Sequence, residues 1–285
     1  MVHFTWAVCL KRRMAVEQLT TTTRKVLRIG NGEAEWFDDR IATEQAITIK
    51  LNGEEFVTMV CTPEYIEDMA IGYLASEGII RRFGDINGIR VDGKQGFVHI
   101  ETSHINPLYE GLQNKRYLTS CCGGSRQGFV FASDAMSAKQ MTGRNVRLTP
   151  EDCTRLMSEM QNGASTFKET GGVHNAALCS TRGSVLSRMD IGRHNALDKI
   201  YGHCLKNNIT VKDKIIVFSG RLSSEILLKV AKIGCEVVLS KSAPTERALE
   251  LAQELEITAV GFIRDTSMNV YTCPERIIIE NRALS

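Results

Sequence analysis

The 285-residue sequence lacks the features that mark several large classes of protein. It has no apolar run long enough for a transmembrane helix, so we expect no membrane partner. Its 35 basic and 33 acidic residues leave a formal net charge of +2, which argues against a nucleic-acid-binding surface. It contains no internal repeat, no Walker loop, no protein-kinase motif and no Gly-x-Ser-x-Gly elbow. These absences favour an ordinary soluble globular protein.

The nine cysteines exclude a further class, because they are odd in number and scattered over the chain. This pattern does not suit a small disulfide-bonded scaffold and favours a reducing compartment. Residues 1–10 are mildly apolar, but basic residues follow them at 11–13, whereas a signal peptide has its basic residues first. We therefore predict a disordered leader over residues 1–24 and a cytoplasmic protein.

Residues 25–147 have the pattern of an α+β domain. Alternating apolar and polar residues predict strands over 25–29, 46–51, 55–60, 86–91 and 96–101. Asn52-Gly53, which separates the second and third of these, is typical of a hairpin turn. Thr62 and Pro63 predict the cap and first position of a helix that Gly78 ends.

Residues 148–285 follow a different pattern, in which helices and strands alternate. Thr149-Pro150-Glu151-Asp152 is typical of a helix start, and two strands joined at Arg182-Gly183 follow it. Helices are then predicted over 194–206, 222–233 and 245–255, and strands over 214–219, 235–240 and 257–263. Strands separated by helices of this length indicate βαβ units and a largely parallel sheet, so we predict a three-layer α/β domain.

Two adjacent cysteines, Cys121 and Cys122, lie in the glycine-rich polar segment 119–128. No strand or helix pattern is present there to bury them, and Arg126 and nearby backbone amides favour the thiolate. We interpret them as a candidate nucleophile or redox centre. The alternatives are incidental loop thiols and a strained vicinal disulfide.

Three strand-to-helix junctions in the second domain combine small or polar residues with a cation. They lie at residues 190–199, with Arg193 and His194, at 218–225, with Arg221, and at 240–246, with Lys241. Helix-start amides and cations at the carboxyl edge of a sheet favour a bound phosphate. The alternative is structural: serine and threonine cap the helices, and Asp190 pairs with Arg193. Three such junctions on successive strands favour a phosphorylated ligand.

Residues 262–271 leave the last predicted strand of the domain. Arg264 and Asn269 could contact phosphate or the edge of a base, and they could equally pair across a turn. The remaining cysteines show no paired spacing of the kind that binds zinc.

Taken together, these segments resemble the FdhD family, the sulfurtransferase accessory proteins of formate dehydrogenase. The similarity runs from about residue 25 onward and is strongest at residues 170–174, 190–199, 219–221, 242–245, 269–271 and 274–276. The resemblance implies a cytidine-deaminase-type fold for the second domain. Zinc deaminases need His-x-Glu and Pro-Cys-x-x-Cys, but this chain reads His194-Asn195-Ala196 and Ser219-Gly220-Arg221-Leu222 there. We therefore expect no zinc and no deamination.

The resemblance implies a sulfur relay. A cysteine desulfurase would pass a sulfur atom to Cys122 or Cys121 as a persulfide. The protein would then sulfurate the bis-molybdopterin guanine dinucleotide cofactor, with molybdenum or tungsten, for formate dehydrogenase; GDP would mimic that ligand. The expected cofactor-binding residues are Phe262, Ile263, Arg264, Asp265, Thr266, Ser267, Arg193, His194, Arg221 and Lys241. The family also implies a homodimer.

The cysteine segment departs from the family pattern, which reads Cys-Gly-x-Cys-Gly. When Cys122 is aligned with the first cysteine, Ser125 stands at the second. A Cys-x-x-Cys disulfide is therefore not available, so either one cysteine suffices or Cys121 acts as the resolving thiol. Two alternative functions follow: a chaperone that binds the cofactor without sulfur transfer, and a nucleotide-binding module that senses redox state.

Overall fold

A computed structural model describes residues 20–103, 116–118, 138 and 140–279 of the chain. Its strands form a two-stranded sheet, a five-stranded sheet and a six-stranded sheet. The described residues also form six α-helices and two short 3-10 helices. The fold is thus a mixed α/β fold, as predicted.

The two-stranded sheet is a hairpin of β1 (Thr21–Gly30) and β2 (Glu33–Ala42). Asn31 and Gly32 form its turn, with φ angles of 53° and 84° that suit this residue pair. The strand predicted over 25–29 is confirmed, but its partner strand, β2, was not predicted. Residues 21–24 belong to β1 rather than to a disordered leader, since β-branched threonines favour a strand.

The five-stranded sheet has the order β5-β6-β3-β4-β7. One helix, α1, packs on it and buries Met69, Ile71 and Leu74 against Ile47 and Ile49. The hairpin turn predicted at Asn52-Gly53 is confirmed. The elements are β3 (Gln45–Leu51), β4 (Glu54–Cys61), α1 (Ile66–Ser76), β5 (Ile86–Asp92), β6 (Phe97–Thr102) and β7 (Arg116–Leu118).

Helix α1 begins at Ile66, so the start predicted at Thr62 and Pro63 is wrong. Tertiary contacts hold Thr62 outside the helix. Its backbone N–H donates to Asp190 Oδ2 over 3.1 Å, and its carbonyl accepts from Lys199 Nζ over 3.1 Å. A backbone group engaged in this way is not free to form the first turn of a helix.

The six-stranded sheet has the order β13-β12-β11-β10-β8-β9. Its strands are β8 (His174–Ser180), β9 (Gly183–Asp190), β10 (Ile215–Phe218), β11 (Val237–Ser240), β12 (Thr258–Arg264) and β13 (Ser267–Val270). The helices of this half are α2 (Pro150–Asn162), α3 (Ser165–Thr170), α4 (Arg193–Lys206), α5 (Ser224–Ile233) and α6 (Glu246–Glu254). The helix start predicted at Thr149 is confirmed, because Thr149 and Asp152 form a reciprocal capping box.

The prediction of a largely parallel sheet is wrong, because within the six-stranded sheet only the two pairings among β10, β11 and β12 are parallel. Helices α5 and α6 connect these three strands, as in βαβ units. Strands β8 and β9 are joined by the short turn at Thr181 and Arg182, and strands β12 and β13 by a similar turn. A strand that returns through so short a turn must run antiparallel to its neighbour.

Helices cover both faces of the six-stranded sheet, which confirms the three-layer prediction. Helices α4, α5 and α6 bury Leu197, Ile226 and Leu251 on one face, and α2 buries Leu156 and Met160 on the other. The division of the chain into domains at residue 148 stays a prediction.

Helix α1 packs on the five-stranded sheet, α4 packs on the six-stranded sheet, and the two helices cross each other. A glycine of each helix lies at the point of closest approach. A Cβ atom at Gly72 would lie 1.9 Å from the carbonyl oxygen of Asp198, and one at Gly202 would lie 1.8 Å from that of Asp68. No larger residue fits at this spacing, so the two helices meet backbone to backbone.

Candidate functional site

The predicted sheet edge forms where strands β10 and β11 end. Phe218 pairs with Ser240 across this edge, and the antiparallel strand β8 begins there at His174. The His174 ring stacks on Phe218 with 6.5 Å between centroids. Strand β9 ends there as well, with Asp190 opposite His174. The topology therefore brings all three predicted junctions to one edge.

Hydrogen bonds connect the loop that follows β10, in the junction at 218–225, with the loop that follows β11, in the junction at 240–246. Leu222 N donates to the carbonyl of Ala243 over 3.1 Å, and Ser240 Oγ donates to the carbonyl of Gly220 over 2.8 Å. Ser219 Oγ accepts from Asn175 N over 2.9 Å. Ser219 and Ser240 therefore stabilise the loops and do not cap helices. The N-cap positions of α5 and α6 are occupied by Ser223 and Thr245.

The junction at 190–199 is built around a buried ion pair. Lys199 Nζ lies 2.7 Å from Asp190 Oδ2, and both side chains are fully buried. Asn195 Nδ2 donates to Asp190 Oδ1 over 2.9 Å and to the carbonyl of Val60 over 3.0 Å. The structural alternative named the wrong partner, since Asp190 pairs with Lys199 rather than with Arg193. The pair ties the start of α4 to the end of β4.

His194 faces a carboxylate, not the open edge. Its Nε2 atom lies 3.0 Å from Glu225 Oε2. Burial lowers the pKa of His194 and outweighs the opposing effect of Glu225. A lowered pKa favours the neutral imidazole near pH 7 in the ligand-free chain, which is the weaker partner for phosphate. This result weakens its predicted role in cofactor binding.

Arg193 stands at the first position of α4, half-buried and close to His174. Burial is the main cause that lowers the pKa of His174, and the positive charge of Arg193 is the second. Arg221 and Lys241 are exposed on the two fastened loops. Three predicted cations thus remain available for an anion along this edge.

A cavity of about 370 Å³ opens at the same edge. Lys241 and Ser219 come from the junction loops, and Phe167 comes from the short helix α3. The cavity is lined by Met160, Gln161, Phe167, Gly171, Gly172, Val173, His174, Asn175, Ile191, Ser219 and Lys241. Its volume lies in the range of small-molecule sites. Sequence reasoning missed Phe167 and Gln161, because neither belongs to a recognisable motif.

The predicted segment 262–267 covers the end of β12, the turn at Asp265 and Thr266, and the first residue of β13. Phe262 N donates to the carbonyl of Ser242 over 3.3 Å, which places the segment beside the Lys241 loop. Phe262, Arg264, Asp265, Thr266 and Ser267 are exposed, but Ile263 is packed in the core. The side chain of Ile263 is therefore placed for packing rather than for contact with a ligand.

Six cysteines lie in the described residues, and all six are free and buried. Burial raises the pKa of Cys61, Cys153 and Cys179 to about 12 and that of Cys204 to about 11. Burial also raises the pKa of Cys235 and Cys273. A thiol with so high a pKa is a poor nucleophile near neutral pH. Cys121 and Cys122 lie outside the described residues.

The described parts of the chain hold no cluster of three or more histidine, cysteine, aspartate or glutamate side chains that could bind a metal ion. Within the same ranges, every helix is too short or too polar to cross a membrane.

Comparison with known proteins identifies the family. The profile of the FdhD/NarQ family matches residues 42–278. The chain belongs to this family. A protein of Shouchella clausii named sulfur carrier protein FdhD is 58% identical over 267 residues, which cover 93% of this chain and 100% of the relative. The protein of the same name from Bacillus subtilis is 54% identical over 257 residues, covering 90% and 97%.

A solved structure supports the fold of this FdhD/NarQ family member. The crystal structure of a protein from Desulfotalea psychrophila, described as a candidate formate dehydrogenase accessory protein, matches with a TM-score of 0.74. The match covers 91% of this chain and 100% of that one, at 24% identity. Similarity at this identity supports the fold alone.

Proposed function

We propose that the protein is a sulfur carrier that accepts persulfide sulfur from a cysteine desulfurase. It then sulfurates the bis-molybdopterin guanine dinucleotide cofactor of formate dehydrogenase in the cytoplasm. The curated relatives described above carry the name sulfur carrier protein FdhD, which supports the proposal.

The proposal is supported by the burial and the raised pKa values of the six described cysteine thiols. The six cysteines in the described ranges are buried, and burial raises the pKa of each. None of them suits attack on a persulfide at neutral pH, since the thiolate is the reactive form. Cys121 and Cys122 therefore remain the strongest candidates, because glycine and polar residues surround them in the sequence.

Strand β7, which precedes the two adjacent cysteines in the sequence, pairs with β4 close to a contact with the 190–199 junction. Strand β7 ends at Leu118, which pairs with Met59 on β4. Three residues after Met59, Thr62 contacts Asp190 at the end of β9 and Lys199 on α4. Cys121 follows Leu118 by three residues in the sequence.

The first chemical step is a balanced thiol exchange. The Cys122 thiolate attacks the outer sulfur of the desulfurase persulfide; a new S–S bond forms, the donor's S–S bond breaks, and the donor cysteine leaves as a thiolate. If Cys121 is the resolving thiol, its attack on the Cys122 sulfur releases hydrosulfide and leaves a Cys121–Cys122 disulfide. If one cysteine suffices, an external thiol attacks the Cys122 sulfur, which releases hydrosulfide and leaves a mixed disulfide that a second thiol reduces.

The sheet edge supplies groups that suit an anionic substrate. Arg193, Arg221 and Lys241 contribute positive charge, and Arg264 is exposed at the end of the adjacent strand β12. A cofactor rich in phosphate favours such a set of cations. We propose that Phe262, Arg264, Asp265, Thr266 and Ser267 contact it, with GDP as a mimic.

We also propose that the six-stranded half descends from a cytidine-deaminase-type scaffold without its zinc site. The order β9-β8-β10-β11-β12, with three parallel strands beside a hairpin, supports this relationship. Ala196 stands where a zinc deaminase has its glutamate, so the chemistry of deamination is not part of the proposal.

Mass spectrometry tests the sulfur step. After incubation with a cysteine desulfurase and cysteine, we expect a one-sulfur gain on the peptide that contains Cys121 and Cys122. The gain should disappear in Cys122→Ser and persist in the buried-site control Cys153→Ser. If the wild-type peptide gains no sulfur while GDP still binds, the proposed sulfur transfer is refuted. The result would then favour a chaperone that binds the cofactor without sulfur transfer.

A titration tests the ligand site separately. Arg264→Ala should weaken GDP binding about tenfold, since a lost charge-assisted contact costs about 1.5 kcal/mol. Persulfide formation should not change. Arg182→Ala serves as the control, because Arg182 is exposed at the β8–β9 turn. Equal affinity in the wild type and the Arg264 variant would contradict the proposed site.

A further inference from the structure

The cavity at the sheet edge is lined by two carboxamide residues to which the proposed function assigns no role. Asn175 belongs to strand β8 and Gln161 to helix α2. Asn175 is only 4% exposed, and Gln161 is half-buried. Within the ranges that the structure describes, neither carboxamide has a hydrogen-bond partner in the protein. The cavity therefore has unpaired donors and acceptors in addition to its cation.

The backbone of Asn175 is held on both sides, which fixes the direction of its side chain. Its N–H donates to Ser219 Oγ over 2.9 Å, and its carbonyl accepts from Ser219 N over 3.0 Å. Residues that alternate along a strand point to one side of the sheet, so Asn175 shares a face with Ala177. Ala177 packs with Leu156 and Met160 of α2 in an apolar core. The Asn175 carboxamide therefore lies on an otherwise apolar face of the sheet.

An unpaired carboxamide at this position is unfavourable for folding. Its burial costs free energy that an apolar residue of similar size would not cost. Buried polar groups in folded proteins are nearly always hydrogen-bonded, so an exception calls for a partner from outside the chain. Asn175 lies beside a cavity that a small molecule can enter. Its side chain is therefore placed to recognise a ligand.

The other side chains at the cavity indicate a planar heterocycle. Phe167 on α3 lines the cavity and is 42% exposed, so its ring offers a flat apolar surface. Carboxamides pair with the donors and acceptors at the edge of a base. Lys241 lines the same cavity and supplies a cation for an attached phosphate. A ligand that uses all these groups has a flat ring, a polar ring edge and a phosphate.

We propose that this cavity binds the 2-amino-oxopyrimidine edge that guanine and pterin share. One of the two carboxamides, Asn175 or Gln161, pairs with the ring N–H and the oxo group. The other accepts a hydrogen bond from the 2-amino group. Phe167 contacts the face of the ring, and Lys241 contacts the phosphate. The inference rests on the proposed function, because the cofactor named there contains both rings.

Ligands that differ at the 2-amino position test the assignment on the wild-type chain. GDP is compared with IDP, which lacks this amino group, and pterin-6-carboxylate with lumazine-6-carboxylate, in which an oxo group replaces it. Isothermal titration should show about tenfold tighter binding of the amino compound in at least one pair, because its loss leaves a carboxamide unpaired. The pair with the larger preference identifies the ring as guanine or pterin. Equal affinities within both pairs overturn the proposal.

Two substitutions remove the carboxamides one at a time. Asn175→Leu and Gln161→Leu should each weaken binding of the preferred amino compound about tenfold. The variant that removes the partner of the 2-amino group should also lose the preference for the amino compound. Gln253→Leu is the control, because Gln253 is exposed on α6, which covers the opposite face of the sheet. Unchanged affinity in the Asn175 or the Gln161 variant overturns the proposal.

Stability measurements distinguish ligand recognition from a structural role. Asn175→Leu should not lower the urea midpoint of the ligand-free chain, since it removes an unpaired buried carboxamide. A lower midpoint would assign Asn175 to folding and overturn the proposal. The sulfur gain of the wild-type peptide that contains Cys121 and Cys122 is measured separately. If that gain occurs while the Asn175 variant binds as the wild type does, the cavity assignment fails and the proposed function stands.

Discussion

At the scale of single residues, the ion pair of Asp190 and Lys199 determines what the 190–199 motif does. Both side chains are fully buried. Charges removed from water are tolerated only when they are paired and hydrogen-bonded, and Lys199 also donates to the carbonyls of Thr62 and Met189. Much of this motif therefore serves to hold α4 against β4, and Arg193 is the cation of the motif that remains available for the proposed ligand.

We expect Lys199→Met to lower the free energy of unfolding by about 3–5 kcal/mol, because it leaves the Asp190 carboxylate buried without its partner. Urea denaturation measures the change. Lys212→Met, at an exposed lysine, is the control and should change stability by less than about 0.5 kcal/mol. Equal stability of the two variants would contradict the buried ion pair.

The buried thiols give stability a dependence on alkaline pH. Burial raises the pKa of Cys153 from 9.0 to about 12. A raised folded-state pKa contributes stability that is complete below pH 9 and is lost as pH rises toward 12, since the unfolded chain ionises first. Urea midpoints should therefore fall between pH 9 and 11. Cys153→Ser should reduce this slope by up to about 1.4 kcal/mol per pH unit; an unchanged slope would contradict the assignment.

At the scale of elements, the crossing of α1 and α4 depends on two glycines. Gly202→Ala should raise helix propensity by about 1 kcal/mol, so an exposed site would be stabilised. Here the added methyl group meets the Asp68 carbonyl, and we expect a net loss of about 1–3 kcal/mol. Gly84→Ala, which meets nothing within 4 Å, is the control. Thermal unfolding compares the two, and a stabilised Gly202 variant would refute the close crossing.

The elements that could be predicted are those whose signals are local. The Asn52-Gly53 turn and the Thr149–Asp152 capping box depend on neighbouring residues, and both are confirmed. The start of α1 could not be predicted, because Thr62 is held by residues more than 120 positions away. The Asn31-Gly32 turn was predictable in principle, since Asn-Gly between alternating runs is a strong hairpin signal.

The candidate site was predictable only as a set of junctions. Their cations could be read from the sequence, because strand ends and helix starts have recognisable patterns. The cavity could not, since Phe167 and Gln161 reach it from helices on another layer of the fold. The lowered pKa of His194 also depends on tertiary structure, because it comes from burial that outweighs the opposing effect of Glu225, 31 positions along the chain.

At the scale of the whole molecule, polar contacts couple the two large sheets. Asp68 on α1 pairs with Arg188 on β9 at 3.2 Å, and Ser76 on α1 donates to Asp198 on α4 over 2.7 Å. These contacts are buried, so they are lost together when the sheets separate.

Native-state hydrogen exchange tests this coupling. We expect the central amides of α1 and α4 to exchange with the same free energy, close to that of global unfolding, because neither helix can open without the other. Lys199→Met should lower both by the same amount. Exchange of α1 at a much lower free energy than α4 would show that the five-stranded half opens independently.

The glycine crossing has a consequence for movement. Domains that slide past each other do so by small shear steps in which packed elements shift. Where Gly72 and Gly202 meet backbone carbonyls, no side chain is present to change rotamer and absorb a slide. The two sheets therefore form one stiff frame. Binding of a ligand at the sheet edge should therefore leave the relative position of the two sheets unchanged.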